Sequence, residues 1–319
     1  MSASLPPWLE PLGDGVHAID TGFHRDRYDA AYLVVEGGRA AFIDTGTAFA
    51  VPRLLGALDA LGLAPGAVDL VIPTHVHLDH AGGVGQLMQA LPAARLLVHP
   101  RGARHLVNPL ALYLGALKVY GQAVMDRDYG RLLPVPEERV DTSKDGQVVT
   151  LAGRPLLLAH TPGHALHHHC AWDARSGGWF TGDNFGMAIS ELRIGDRPFI
   201  FPTTTPVQFD PDAMVASIDR LLATSPRRMF VTHYGAIGHV ADCAARLKDS
   251  IAATVAIARA HRDAPERHAA LARALAGRYA ADARAFGIDR PLDELAALLH
   301  DDAALNAAGL EVWLDKTVA

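Results

Sequence analysis

The 319-residue sequence contains only two cysteines, Cys170 and Cys243, and no CxxC pair. This scarcity excludes a disulfide framework and fits a reducing compartment. No basic block stands out, which argues against a nucleic-acid surface. No charge-free apolar stretch reaches about 18 residues, and the N-terminal segment has neither a basic start nor an apolar core. We therefore expect no membrane span, no signal peptide and a cytoplasmic location.

Hydrophobic residues make up 50% of the chain, enough for one large domain or for a domain with an appendage. Strand-like and helix-like segments alternate in the first 100 residues, and residues 101–121 favour a helix. From about residue 240 the sequence is alanine-rich and helical almost throughout, with breaks expected near Gly277, Gly287 and Pro291. This change in composition predicts a helical appendage that starts near residue 240.

The stretch THVHLDHAGG crowds four metal-capable side chains, His75, His77, Asp79 and His80, behind the apolar run VDLVIP. Imidazole nitrogens and carboxylate oxygens are the usual ligands of zinc and comparable divalent ions. The run before them is typical of a buried strand, and ligand sites in such sheets lie beyond strand ends. His75 and His77 point the same way on an extended segment, and a turn after Leu78 brings the other two to a second point. One short loop can therefore serve two ions.

Three further candidates occur in the same context, at the end of an apolar strand beside glycine or threonine. LLLAHTPGH ends in His164, WFTGD ends in Asp183, and MFVTHYG contains His233. Glycine at such a position permits a tight turn or a close backbone approach. Each residue alone is weak support, because a lone histidine at a strand end is usually a hydrogen-bonded structural residue. Together with the HxHxDH pattern they indicate a composite metal site.

In this order, THVHLDHAGG, TPGHALHH, FTGD and THYG, with FIDTG before them, resemble the successive motifs of the metallo-β-lactamase superfamily. The resemblance covers about residues 15–240. It implies an α/β fold, a four-layer αββα sandwich, with residues 1–240 as the catalytic domain and 241–319 as a C-terminal helical extension. It also implies two bound divalent ions, for which zinc is the favoured metal and iron or manganese are alternatives. The ligands carried over are His75, His77 and His164 for one ion, Asp79, His80 and His233 for the other, and Asp183 as the bridge.

This set of five histidines and two aspartates resembles that of glyoxalase II and of the lactonases. It differs from most secreted zinc β-lactamases, which place cysteine or other residues at some positions, and from flavodiiron-type proteins, which carry glutamate at the position of His77. The resemblance implies a hydrolase in which a metal-bridging hydroxide attacks a small ester, thioester, lactone or lactam. Asp79 would hold or shuttle the proton, and Tyr234 would donate a hydrogen bond to the substrate.

Two other reaction classes compete with this hypothesis. A mononuclear iron dioxygenase acting on glutathione persulfide retains much of the same motif set, so the ligands do not separate it from a hydrolase. A phosphodiesterase or nuclease of the superfamily would need a basic surface that the sequence lacks. We expect a small-molecule substrate, no nucleic-acid partner and no membrane partner. The alanine-rich tail could pack against a second copy in a homodimer.

Two supporting residues have alternative interpretations. Asp44 of FIDTG would orient a ligand histidine by accepting a hydrogen bond from the ring nitrogen that does not bind metal. The alternative is a structural turn aspartate. His168 would support the metal site, or it would simply pack within a strand. The sequence does not indicate a role for Arg193, in the loop after Asp183, or for the C-terminal helices. It does not identify the physiological substrate either.

Overall fold

A computed structural model describes residues 5–204 and 207–317, which form two compact units. The first unit comprises the chain up to His160 together with His167–Gly182 and Phe230–Ala236. The second unit comprises Thr161–Leu166, Asp183–Met229 and the chain from Ile237 onward. The division predicted from the sequence is different, with a catalytic domain at 1–240 and a helical extension at 241–319. The predicted division stays a prediction.

Two sheets form the frame of the first unit. The strands of the chain are β1 Leu9–Gly13, β2 Val16–Asp20, β3 Ala30–Glu36, β4 Arg39–Ile43, β5 Val68–Ile72, β6 Arg95–Val98, β7 Val140–Thr142, β8 Val148–Leu151, β9 Arg154–His160, β10 His169–Asp173, β11 Gly178–Gly182, β12 Arg193–Ile194, β13 Arg197–Pro198, β14 Arg228–Val231 and β15 Gly235–Ile237. A seven-stranded sheet has the order β1-β2-β3-β4-β5-β6-β7, and a six-stranded sheet has the order β15-β14-β11-β10-β9-β8. Strands β12 and β13 form a separate two-stranded sheet in the second unit. Strands β4 to β7 are parallel to one another, so their carboxyl ends meet at one edge of the sheet.

The first unit contains two apolar cores. One packs the two sheets against each other through side chains such as Tyr32, Ile43, Phe180 and Phe230. The other packs helices on the opposite face of the seven-stranded sheet, through Phe42, Leu54 and others. The helices of this unit are α1 Val51–Ala60, α2 Leu78–Ala81, α3 Val84–Ala90, α4 Pro100–Val107, α5 Leu110–Tyr120 and α6 Gln122–Val124, followed by a π-helical turn, Met125–Tyr129.

The second unit is mainly helical. Its helices are α7 Pro211–Leu222, α8 Val240–Ala260, α9 Arg267–Phe286, α10 Leu292–Leu298 and α11 His300–Lys316. The Asn306 side chain ties the end of the chain to the loop at 202–204, because it donates to the Pro202 carbonyl at 2.8 Å and accepts from the Thr204 backbone at 2.7 Å. Within the ranges that the structure describes, no helix has the length and apolar character required to cross a bilayer.

Most strands and helices agree with the sequence prediction, and the exceptions have physical causes. The pattern did not indicate β1, whose Pro11 is tolerated because the strand lies at a sheet edge. The break expected near Gly277 is wrong, since α9 continues through it. A glycine costs a helix only about 1 kcal/mol, which buried neighbours such as Leu275 and Tyr279 offset. The expected helix at 101–121 is interrupted at Pro109.

Candidate metal centre

The loop after β5 carries the HxHxDH residues at the carboxyl edge of the parallel strands. His75 and His80 are fully buried, and the single turn α2 begins directly after His77. The glycine pair that follows permits this tight path. A Cβ atom at Gly82 would lie 2.3 Å from the Leu78 carbonyl oxygen, and one at Gly83 would lie 2.8 Å from a backbone oxygen. The sequence THVHLDHAGG thus combines metal-capable side chains with the backbone freedom that groups them.

The ligand atoms of this loop converge on two points. His75 Nε2 lies 2.9 Å from His77 Nδ1. Asp79 Oδ2 lies 3.6 Å from His80 Nε2 and 3.4 Å from His233 Nε2, and His233 follows β14. Ligands of a tetrahedral zinc ion, bound at 2.0–2.2 Å, lie roughly 3.3–3.6 Å apart. The donor atoms around Asp79 therefore have the chemistry and the spacing that a divalent ion requires, and all three lie within 4.8 Å of one another.

Hydrogen bonds to the opposite ring nitrogens hold these histidines in place. His80 Nδ1–H donates to Asp44 Oδ2 at 2.9 Å, and His233 Nδ1–H donates to the Tyr28 carbonyl oxygen at 3.2 Å. Such bonds fix the tautomer and the orientation of a ligand histidine, and they increase its basicity. Both rings therefore present Nε2 to the point that they share with Asp79.

Asp44 performs both roles that the sequence left open. Besides orienting His80, its carboxylate accepts the Thr74 backbone N–H at 2.6 Å and the Thr232 hydroxyl at 3.1 Å. Its backbone has a φ of 57°, a left-handed conformation that aspartate adopts more readily than most residues. Asp44 thus joins the ends of β4, β5 and β14 around the histidine that it orients.

The second unit contains the other two predicted ligands. His164 Nε2 lies 3.5 Å from Asp183 Oδ2, and both side chains are buried. The Thr203 hydroxyl lies 2.8 Å from His164 Nδ1 and holds the ring from its other side. The preceding residue must be glycine, because a Cβ atom at Gly163 would lie 2.3 Å from the Met214 backbone.

A family model for the metallo-beta-lactamase superfamily matches residues 24–233, about two thirds of the chain and all seven predicted ligands. The chain belongs to this superfamily. The predicted fold class, an α/β metallo-β-lactamase sandwich with C-terminal helices, is confirmed. A metallo-beta-lactamase family protein from Thermus thermophilus superposes on 97% of this chain and 96% of its own, with a TM-score of 0.67 at 21% identity.

Two curated relatives are named as a hydrolase and a thioesterase. A hydroxyacylglutathione hydrolase from Synechococcus is 29% identical over 197 residues, 62% of this chain and 59% of its own length. An acyl-coenzyme A thioesterase from Gallus gallus is 28% identical over 191 residues, 54% of this chain and 64% of its own. The chain thus matches about three fifths of the length of these superfamily relatives.

The histidine run 167–169 supports the HxHxDH loop of this superfamily member from behind. The His168 ring stacks on the His75 ring at 5.0 Å between centroids. His169 donates its backbone N–H to the Thr74 carbonyl, and its Nε2 lies 2.9 Å from the Pro73 carbonyl. A Cβ atom at Gly182 would lie only 2.7 Å from His168 Nε2, so the glycine of FTGD is required here. His168 therefore packs directly against a predicted ligand.

Tyr234 lies in the core between the sheets and is only 2% exposed. The Arg27 guanidinium lies 4.8 Å from the centre of its ring. These contacts favour a packing role, and hydrogen bonding to a substrate stays a prediction. Arg193 lies in the short strand β12, and its role stays open.

The sequence did not single out Asp29, which lies immediately before β3. Complete burial raises the pKa of its carboxyl to about 7, although the charges of His233 and His80 act in the opposite direction. The Thr21 hydroxyl donates to Asp29 Oδ2 at 2.8 Å. Nothing in the local pattern YDAAY distinguishes this residue from an ordinary aspartate at a strand start, since its burial depends on the fold.

Proposed function

We propose that the chain is a metal-dependent hydrolase that acts on a small ester or thioester, with lactones and lactams as related substrates. The observation that carries this proposal is the geometry around Asp79. Two histidine nitrogens and one carboxylate oxygen converge there at separations suited to a divalent ion, and both rings are held from behind. The hydrolase and the thioesterase among the relatives support the substrate class.

We further propose a dinuclear centre, most readily with zinc, and with iron or manganese as alternatives. His75 and His77 would hold one ion with His164, and Asp79, His80 and His233 would hold the other, with Asp183 between them. That His164 and Asp183 join the five ligands of the first unit rests on the order of the family motifs. When bound, such ions supply Lewis acidity, which activates water near neutral pH and polarises a carbonyl group.

Asp79 is the proposed proton carrier. Its side chain is 23% exposed, whereas those of His80 and His233 are 0% and 5% exposed. One oxygen, Oδ2, faces the two histidines, so the other can accept a proton from water or return it to the leaving group. Asp79 would therefore act both as a ligand and as a general base.

Metal content per chain tests this proposal, measured by elemental analysis on protein purified without added metal. We expect about two divalent ions in the wild type and one or fewer in Asp183→Ala. Hydrolysis of a panel of esters, thioesters, lactones and lactams should fall at least about a thousandfold in that variant. Asp196→Ala is the matched control in the same unit, since the Asp196 side chain is 87% exposed and forms a surface ion pair with His239.

Two results would overturn the proposal. A single iron per chain, retained in Asp183→Ala, would favour the mononuclear dioxygenase, which oxygen consumption with glutathione persulfide would then detect. Two ions with no turnover of any ester, thioester, lactone or lactam would contradict the substrate class.

A further inference from the structure

Asp29 is a fully buried aspartate that the proposed reaction does not use. Its side chain is 0% exposed, and it lies immediately before β3. One carboxyl oxygen, Oδ2, accepts a hydrogen bond from the Thr21 hydroxyl at 2.8 Å. The other, Oδ1, has no hydrogen-bond partner within residues 5–204 and 207–317. Because a buried polar atom without a partner costs free energy, Oδ1 requires a physical explanation.

The backbone on both sides of Asp29 is hydrogen-bonded to the segment that contains His233. The Tyr28 carbonyl oxygen accepts from His233 Nδ1 at 3.2 Å, and the Ala30 N–H donates to the Thr232 carbonyl oxygen at 2.8 Å. Asp29 therefore lies between the two residues that connect this part of the chain to a predicted ligand and to its neighbour. Main-chain hydrogen bonds thus fix the position of Asp29 beside the candidate metal centre.

The electrostatic interactions of Asp29 agree with this position. Burial raises the pKa of its carboxyl to about 7, and the charge of Asp79 acts in the same direction, whereas His233 and His80 act against it. These three residues are the ones whose donor atoms lie within 4.8 Å of one another. Asp29 is therefore within electrostatic reach of their common point, although it does not belong to that group of donors.

A divalent ion at this point would carry more charge than its ligands neutralise. Asp79 is the one carboxylate of the three-residue group, and His80 and His233 bind metal as neutral imidazoles. The proposed bridge, Asp183, would be divided between two ions. A further anion stabilises such an ion, and it does so strongly where the surrounding side chains are buried, because the effective dielectric constant there is far below that of water.

Asp44 is the other buried carboxylate beside these ligands, and its oxygens are engaged differently. They accept hydrogen bonds from His80, from the backbone and hydroxyl of Thr74 and from the Thr232 hydroxyl. Asp29 accepts from one threonine hydroxyl among the described residues, and its Oδ1 is left over. The charge of Asp29 is therefore the less compensated of the two by hydrogen-bond donors.

We propose that Asp29 is an outer-sphere anion of the candidate metal centre, which stabilises the ion at Asp79, His80 and His233 through its charge without binding it. This inference rests on the metal centre of the proposed function and adds one residue to it. It also explains Oδ1, since a cation compensates a carboxylate oxygen that no donor of the described chain reaches. Asp29 is a positioning residue in this proposal and does not contact the substrate.

The zinc affinity of Asp29→Asn tests this role. The amide has nearly the shape of the carboxyl group and can still accept from Thr21, but it carries no charge. Competition with a chelator of known affinity should show that zinc binds at least about tenfold more weakly. The urea midpoint of the metal-free variant should equal or exceed that of the wild type, since the charge that burial disfavours is gone. Unchanged zinc affinity would overturn the inference, and a lower urea midpoint would assign Asp29 to the fold instead.

Asp20→Asn is the matched control, because Asp20 is also a buried aspartate of the first unit. Its side chain pairs with Arg53 at 3.1 Å, and it is 5% exposed. The same substitution there removes one charge of an ion pair, so the urea midpoint should fall while zinc affinity stays unchanged. Equal losses of zinc affinity in the two variants would show that the position of Asp29 has no special importance, and the inference would be wrong.

Cobalt(II) separates an outer-sphere role from direct binding. Its visible absorption depends on the identity and geometry of its ligands, so Asp29→Asn should keep the wild-type band positions and require only more cobalt for saturation. Shifted bands would mean that Asp29 binds the ion or sets the ligand geometry, and the outer-sphere role would be overturned. A wild-type chain that binds neither zinc nor cobalt would overturn the metal centre of the proposed function itself. Wild-type binding that Asp29→Asn leaves unaffected would overturn this inference alone.

Discussion

Histidines cluster at two places in the first unit, around Asp79 and around Ser143. In the Asp79 cluster the rings are held from outside, by Asp44 and by the Tyr28 carbonyl, and their inner nitrogens converge. In the Ser143 cluster the ring nitrogens are used in hydrogen bonds to a serine hydroxyl and a backbone carbonyl. His169 donates to the Pro73 carbonyl and accepts from the Ser143 hydroxyl at 2.8 Å, and that hydroxyl lies 3.1 Å from His160 Nε2.

The difference lies in the direction of the ring nitrogens, since both clusters are largely buried and rich in histidine. The Ser143 cluster directs ring nitrogens of His169 and His160 into hydrogen bonds with protein partners, and burial disfavours the charged forms of His169 and His99. Burial lowers the pKa of His169 to about 3 and that of His99, whose ring lies 4.2 Å from His160, to about 4. Seventeen histidines in a sequence therefore do not mark a metal site until the outer hydrogen bonds are known.

The largest difference between the clusters should appear in Asp44→Ala. Loss of the carboxylate releases the His80 ring, so metal affinity at that site should fall about 10- to 100-fold. Competition with a chelator of known affinity measures this change. A Ser143→Ala variant, in which the hydroxyl of the other cluster is removed, should retain wild-type affinity. Equal losses in both variants would contradict the distinction between the clusters.

The reverse pattern is expected for His169→Ala. Removal of this buried ring leaves the Pro73 carbonyl and the Ser143 hydroxyl with one partner fewer and creates a cavity, which should lower the free energy of unfolding by about 2–4 kcal/mol. Metal content should stay unchanged. Urea titrations of metal-free protein measure the loss, with His300→Ala as control, because the His300 side chain is 64% exposed. A variant that keeps its stability but loses metal would assign His169 to the metal centre.

The smallest effect is a dependence of stability on pH that His169 contributes. Its pKa is about 3 in the folded chain and about 6.5 when unfolded, so between these values only the unfolded state binds the proton. Stability should therefore be complete above about pH 6.5 and fall by up to about 1.4 kcal/mol per pH unit below it. Unfolding of metal-free wild type and His169→Ala at pH 7, 6 and 5 measures this slope. Identical slopes would show that His169 does not remain neutral on folding.

The sequence predicted the frame of the fold because its strands have simple patterns. VDLVIP reads as a buried strand and is β5, and FIDTG continues β4 into the turn that contains Asp44. Strand β1 was missed because its Pro11 contradicts a central strand, and only its edge position makes the proline acceptable. The two compact units combine segments that lie far apart in the sequence, and no local pattern relates such segments.

At the candidate site, residue types were enough to predict the ligand candidates. They were not enough to predict the groups that hydrogen-bond to those ligands. HxHxDH combines chemistry and spacing in one loop, so it stands out in the sequence. The partner of His233 is a backbone carbonyl, that of Tyr28, and any residue supplies such an oxygen. Thr203 lies 39 positions from His164, with no local pattern to relate them. Asp29 is distinguished only by its burial, which depends on the whole first unit.

The hydrogen bonds around Asp79 also indicate when, during synthesis, this group of side chains can be ordered. The bond from Thr232 to Asp44 spans 188 residues, and the bond from His233 to Tyr28 spans 205. The HxHxDH loop is synthesised long before Thr232 and His233, so in the nascent chain it lacks the contacts that these two residues provide. The full set of donor atoms around Asp79 is therefore ordered only after the strand that precedes His233 has joined its sheet.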